Sequence, residues 1–177
     1  MTPLEIPLSV LEQRLPAHLL QWAPQFLMAE LCFGVDPFLM AALCERESQG
    51  GEALDPHGAG GVGDAGHGKG LFQIDDRGHG AFTVSHFDDG TPLWAQPTLN
   101  AAYAAWLYSR NLTHCGGDDI IAIAAYNCGL TKAIRAVNGI ATTSRKIAAL
   151  DAITTHKYVS GVLANYEILM GAPLKGV

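Results

Sequence analysis

The chain has 177 residues, 49% of them hydrophobic and 16% charged, with a net charge of -6. That balance suits one globular domain with a single sizeable core and excludes a second. Scattered Asp and Glu without a basic run or basic-aromatic stripe exclude nucleic acid as partner, and no stretch approaches the ~20 apolar residues of a membrane helix.

The N-terminal segment MTPLEIPLSVLEQRLP lacks the basic start, long apolar run and small-residue cleavage site of a secretory signal. Residues 8–33 predict two or three short helices punctuated by Pro16 and Pro24, and Gly34-Val35 predicts a turn. Asp36-Pro37 opens the next helix, because Asp accepts from free backbone N–H groups and proline's φ is preset for a first helical turn. That helix, FLMAALCERES, is apolar on every side from Phe38 to Cys44, the pattern of a helix buried in the core. It ends in the charged cluster Glu45-Arg46-Glu47-Ser48.

From Gly50 to Gly70 the sequence carries nine of its twenty glycines and little apolar periodicity, which predicts a folded loop or short hairpins. Helical pattern resumes over 98–112 and over 118–127, where Gly129 stops it. It closes the chain in TTHKYVSGVLANYEILM, with Val159, Val162, Leu163, Tyr166, Leu169 and Met170 at helical spacing. The expected architecture is mainly α: a helical bundle around a buried central helix, with a glycine-rich loop or β-hairpin region beside it. We expect a single domain over 1–177, with N-terminal helices in 1–35 and the core in 36–177.

The segment GDAGHGKGLFQID, Gly63 to Asp75, admits a nucleotide reading. Gly63, Gly68 and Lys69 nearly spell a P-loop, and Gly58, Gly60 and Gly63 have the spacing of a dinucleotide fingerprint. A P-loop needs a buried strand before it, a helix after it, and Ser or Thr behind the lysine. Here Gly70 replaces that hydroxyl, EALDPHGAGGV upstream has no strand character, and LFQIDDRGHG reaches glycine too soon for a helix. Glycine enrichment accounts for both patterns.

Cys32, Cys44, Cys115 and Cys128 fall singly on predicted helices or helix ends, so buried free thiols are expected. His57, His67, His79 and His86 stand in loop sequence without paired-ligand spacing. Asp88-Asp89-Gly90 reads as a turn, and Asp118-Asp119 as charge favoured at a helix N-terminus. No metal and no cofactor is expected.

A sugar cleft is the competing reading of the glycine-rich region. Glycoside hydrolysis needs a carboxylic acid kept protonated by apolar surroundings, and usually a second carboxylate on the other face of the bond. The buried helix delivers Glu45 and Glu47 to the edge of the region, and Asp64, Asp75 and Asp76 lie within it. Periodicity leaves the acid open: Glu45 follows Phe38 and Ala41 down one face, Glu47 follows Met40 and Leu43 down another. Both could equally be solvated charges at a helix end.

CERESQGG, GVGDAGHGKGLFQIDDRGH, AAYNCG and TTHKYVSGV, in that order from about residue 39 to 170, resemble the successive landmarks of goose-type lysozymes, a branch of the lysozyme and lytic transglycosylase superfamily. The resemblance implies a lysozyme-like α+β fold and makes Glu47 the catalytic acid. It makes Asp64 and Asp75, eleven residues apart, the aspartates that position or activate water. The stretch between Glu47 and Asp64 is a few residues longer than usual in the family.

Gln73, His79, Tyr126 and Asn127 match positions of sugar binding, their amides, ring nitrogens and hydroxyl suiting sugar hydroxyl and N-acetyl groups. The plainer roles for the last three are a loop histidine, a core aromatic and a helix C-terminal residue. His156 and Tyr158 match positions expected to fix the last helix. The implied activity is a monomeric muramidase that hydrolyses, with inversion, the β-1,4 bond between N-acetylmuramic acid and N-acetylglucosamine of peptidoglycan glycan strands. The implied setting is a phage endolysin made in the host cytoplasm and released to the wall by a holin, or else an exported bacterial effector. The alternatives are a lytic transglycosylase forming 1,6-anhydromuramic ends, and a non-catalytic wall-binding or virion structural protein.

Overall fold

Proline and glycine set the helix ends in the first part of the chain. In a computed structural model describing residues 6–174, α1 (Leu8–Arg14) follows Pro7 and α2 (Ala17–Leu20) follows Pro16. Residues 1–5 and 175–177, the two ends of the domain expected over 1–177, lie outside the described residues. Pro24 sits in the first turn of α3 (Ala23–Phe33), where a missing N–H costs no helical hydrogen bond. Gly34 closes α3 at φ 66°, a left-handed conformation that glycine adopts without penalty.

The next helix, α4 (Pro37–Ser48), begins as the sequence predicts: the Asp36 carboxylate accepts the Phe38 N–H at 2.8 Å. Every residue from Pro37 to Cys44 is buried. Against α4 packs α3, and against α3 packs α1. Leu11, Leu19, Phe26, Leu71 and Phe72 are fully buried, with the Phe26 and Phe72 rings edge-to-face at 6.4 Å between centroids.

The glycine-rich region is a miniature antiparallel sheet rather than a loop. Its strands β1 (Val62–Gly63), β2 (Gly68–Lys69) and β3 (Ile74–Asp75) lie in sequence order, with Gly63 opposite Gly68 and Gly68 opposite Asp75. Beyond the sheet the chain makes a single helical turn, α5 (Gly80–Thr83). Strands of two residues and a helix of one turn do not form the strand, turn and helix that a P-loop requires.

The later helices are α6 (Pro97–His114), α7 (Asp119–Cys128), α8 (Leu130–Val137), α9 (Thr143–Ile153) and α10 (Tyr158–Met170). The residues group into two compact units, Met1–Ala105 and Trp106–Val177, with α6 contributing to both. In the second unit α7 buries Ile120 to Ala125 and packs against α8, α9 and α10. Asp118 caps α7 by accepting the Ile121 N–H at 3.2 Å and binds Lys146 at 2.6 Å. Along α10, Tyr158, Val159, Val162, Tyr166 and Leu169 are buried, while Leu163 and Met170 are half-buried. Among the described residues no helix is long and apolar enough to cross a membrane.

The expectation of buried thiols holds for one cysteine. All four are free, but Cys32 is exposed and Cys115 and Cys128 are half-buried. Only Cys44 lies on the all-apolar stretch of α4; the others sit at helix ends, where solvent reaches them.

Candidate active site

The two glutamates left open by periodicity have different surroundings. Glu45 Oε2 lies 2.6 Å from His18 Nε2, so its carboxylate is held by the N-terminal helices. Glu47 is half-buried in the last turn of α4, beside Ser48. Ser48 is buried, donates to the Leu71 carbonyl at 2.7 Å and accepts the Gly51 N–H at 3.0 Å. One hydroxyl thus pins the end of the glutamate helix to the segment GLFQID.

From the other side that segment is held by Asn100 on α6, which is 0% exposed. Its Oδ1 accepts the Phe72 N–H at 2.9 Å and its Nδ2 donates to the Lys69 carbonyl at 3.0 Å. The turn between has to be glycine. Gly70 has φ 68°, and a Cβ there would stand 2.6 Å from Asn100 Nδ2 and 2.8 Å from the Trp94 carbonyl oxygen.

Gln73 folds back over the sheet. Its backbone is left-handed at φ 47°, and its Nε2 donates to the Gly70 carbonyl at 2.9 Å. The side-chain oxygen occupies the space that side chains on Gly63 and Gly68 would take: a Cβ on either would fall 2.1 or 2.2 Å from it. The two facing glycines are therefore the bed of the Gln73 amide.

Asp64 and Asp75 are brought together by Arg77, a residue that no sequence motif singles out. Arg77 Nη2 lies 2.6 Å from Asp64 Oδ2 and 2.7 Å from Asp75 Oδ2. Its Nε donates to both Asp75 oxygens at 2.8 and 3.1 Å, and its backbone N–H donates to Asp75 Oδ1 at 2.8 Å. These hydrogen bonds hold the Asp75 carboxyl below the usual carboxylate range, against a smaller opposing effect of burial. Asp64 side-chain exposure is 62% and that of Asp75 43%. Asp76 is engaged separately, by His67 at 2.9 Å and Lys69 at 3.4 Å.

His79 faces an aromatic pair. Its Nδ1 is 3.1 Å from the Tyr103 hydroxyl, and the Tyr103 ring stacks on Phe82 with centroids 4.1 Å apart. Tyr126 and Asn127 belong to the second unit, in the last turn of α7, both half-buried. The Asn127 amide donates to Thr155 Oγ1 at 3.0 Å and accepts the Thr155 N–H at 3.1 Å. It latches the chain ahead of α10 and keeps one hydrogen and one lone pair for another partner. His156, at φ 48°, and the buried Tyr158 come directly after that latch. Among the described residues no group of three His, Cys, Asp or Glu gathers where it could hold a metal ion.

The family model of the transglycosylase SLT domain matches residues 24–148. The chain belongs to the transglycosylase SLT domain family. Among solved structures, this SLT domain is similar to an inactive mutant of the lytic transglycosylase Slt from Pseudomonas aeruginosa. The TM-score is 0.62 at 18% sequence identity, over 85% of this chain and 24% of that one. The SLT domain here thus spans about a quarter of that enzyme's length, and the likeness is one of fold. No curated protein matches the sequence. A mainly helical chain with a three-stranded antiparallel sheet is the lysozyme-like α+β fold expected.

Sequence reasoning missed Arg77, Asn100 and His18 as partners of the candidate site residues and their supporting segments. For Asn100 a signal existed: it continues the buried face of Ala101, Ala104 and Ala105, where a lone polar side chain needs partners. For Arg77 the signal was weaker, a cation two residues beyond an aspartate.

Proposed function

We propose that this SLT domain cleaves the β-1,4 bond between N-acetylmuramic acid and N-acetylglucosamine in peptidoglycan, and does so as a lytic transglycosylase. The sequence motifs alone favour hydrolysis. Family membership and the named structural neighbour favour ring closure instead, and one geometric observation carries the choice: Arg77 takes both oxygens of Asp75. A carboxylate so occupied is a poor acceptor for a water proton.

The chemistry needs one carboxyl group. Glu47 in its acid form gives its proton to the glycosidic oxygen as the C1–O4 bond breaks. The 6-hydroxyl oxygen of the same muramic residue then bonds to C1, and its proton passes to the Glu47 carboxylate. That step restores the acid. Gln73, His79, Tyr126 and Asn127 are proposed to contact sugar. Kinship with goose-type lysozymes in particular belongs to the same proposal and rests on the four ordered motifs.

The experiment is digestion of purified peptidoglycan, then mass spectrometry of the released muropeptides. Dominant 1,6-anhydro ends are expected. Dominant reducing muramic ends would return the domain to the hydrolases, and no release at all, with binding retained, would make it a wall-binding protein.

A further inference from the structure

We infer that Arg77 is the specificity-determining residue of the site, the group that keeps Asp64 and Asp75 from delivering water to the broken bond. The inference rests on the transglycosylase reading and goes one step further, from which product forms to which side chain decides it.

The geometry is built for this clamp. Asp64 comes directly after β1 and Asp75 ends β3, the outer strands of the sheet. Outer strands of a three-stranded sheet stand roughly 9–10 Å apart, twice the usual interstrand spacing, so two short carboxylates meet only through something long placed between them. The forked guanidinium of Arg77 provides it. Asp64 and Ala65 have left-handed backbone at φ 47° and 54°, a conformation costly for alanine. The strained turn and the Arg77 contact hold Asp64 at the same point.

Electrostatics gives the clamp its effect. Two carboxylates share one cation, and five hydrogen bonds run from Arg77 to them. In hydrolysis, the water oxygen bonds to C1 while a water proton passes to a carboxylate. Arg77 opposes that transfer twice, by occupying the lone pairs and by stabilising the charged form. Without Arg77, two neighbouring carboxylates repel, and one of them becomes a stronger base with open lone pairs. The same Glu47-driven bond cleavage could then be completed by water.

The test compares wild type, Arg77→Gln, Arg77→Lys and the double variant Arg77→Gln with Asp75→Asn on purified peptidoglycan, each shown by circular dichroism to be folded. The readout is the ratio of reducing to 1,6-anhydro muramic ends, which a purely structural role would not move. Arg77→Gln should raise that ratio on the order of tenfold, the factor that one unit of base strength carries, and Asp75→Asn in the same background should remove the gain. Arg77→Lys, a cation without the fork, should fall between, and it is read in the same way if the Gln variant does not fold. An unchanged ratio in an active Arg77→Gln protein overturns the inference and leaves the transglycosylase reading intact. Loss of all cleavage in both Gln and Lys variants overturns it too, since Arg77 would then be needed for cleavage itself. A wild type that makes mostly reducing ends defeats the transglycosylase reading, and this inference with it.

Discussion

Asp64 and Asp75 hold the same nitrogen: Arg77 Nη2 stands 2.6 Å from one carboxylate and 2.7 Å from the other. The stabilising effect on Asp75 has a definite pH window. Its folded carboxyl titrates below the usual range, so the stabilisation is complete above the unfolded value of about 4 and is lost as pH falls through the folded one. Melting temperatures of wild type and Arg77→Gln should therefore differ at neutral pH and converge in acid. A gap that persists unchanged after the pH has fallen through that folded value would mean that Arg77 stabilises by packing instead.

Glu47→Gln should cut peptidoglycan cleavage by about 10²–10⁴-fold, the usual contribution of a positioned general acid, with little change in melting. Glu45→Gln should leave cleavage nearly intact and cost about 1 kcal/mol or less, because it removes charge from a partly exposed pair with His18. Lytic rates and thermal melts on the two variants check both statements.

Ser48→Ala should cost roughly 2–6 kcal/mol, because the Leu71 carbonyl and the Gly51 N–H each lose a buried partner at about 1–3 kcal/mol. Asn100→Ala should cost a similar amount, since the buried Phe72 N–H and the part-buried Lys69 carbonyl lose the Asn100 amide. Urea unfolding gives both numbers. A cost under about 1 kcal/mol in either variant would show that its two bonds contribute nothing net.

Two glycine substitutions should behave differently although their clashes look alike. At Gly63 a Cβ meets the movable end of Gln73 at 2.1 Å, whereas at Gly61 it meets the Pro56 carbonyl oxygen of the backbone at 2.0 Å. Gly63→Ala should displace the Gln73 amide and lower activity with modest loss of stability. Gly61→Ala should destabilise severely. Adding Gln73→Ala should relieve Gly63→Ala and leave Gly61→Ala unchanged, a coupling that double-mutant melts measure directly.

Thiol chemistry should divide the cysteines. Burial pushes the Cys44 thiol up to about 12, opposed by a hydrogen bond to Ser48, and its side chain is inaccessible. Native protein should take thiol label at Cys32 and none at Cys44, which should react only on unfolding. Reductant should not shift the melting temperature, the four sulfurs being free. Peptide mapping of labelled protein reads this out.

How far the site is readable depends on the range of each interaction. The Asp36 cap, the all-apolar run of α4 and the glycine stop after α7 are local, and sequence alone places them within a residue or two. Helices α8 and α9 escape it for different reasons: α8 carries Leu130, Ala133, Ile134 and Val137 at helical spacing but is only eight residues long and buries only Ala133 and Val137, whereas Leu150 is the lone buried residue described in α9. The Arg77 clamp is beyond reach for another reason. Thirteen residues separate Arg77 from Asp64, and the contact exists only once three two-residue strands have paired in register. Nothing in the periodicity of such short strands announces that pairing.

The Trp22 indole donates to the Gly50 carbonyl at 2.8 Å, just beyond the helix that carries Glu47. At Gly50 itself, a Cβ would stand 2.9 Å from Leu19 Cδ2 and 3.0 Å from the His18 carbonyl oxygen. His18, Leu19 and Trp22 all precede residue 24, where the family model begins. A cloning boundary drawn at that residue would strip a brace from the helix that carries Glu47 while keeping the whole stretch that the family model matches. The evolutionary unit and the mechanical unit of this protein have different edges, and for expression or grafting the mechanical edge is the safer place to cut.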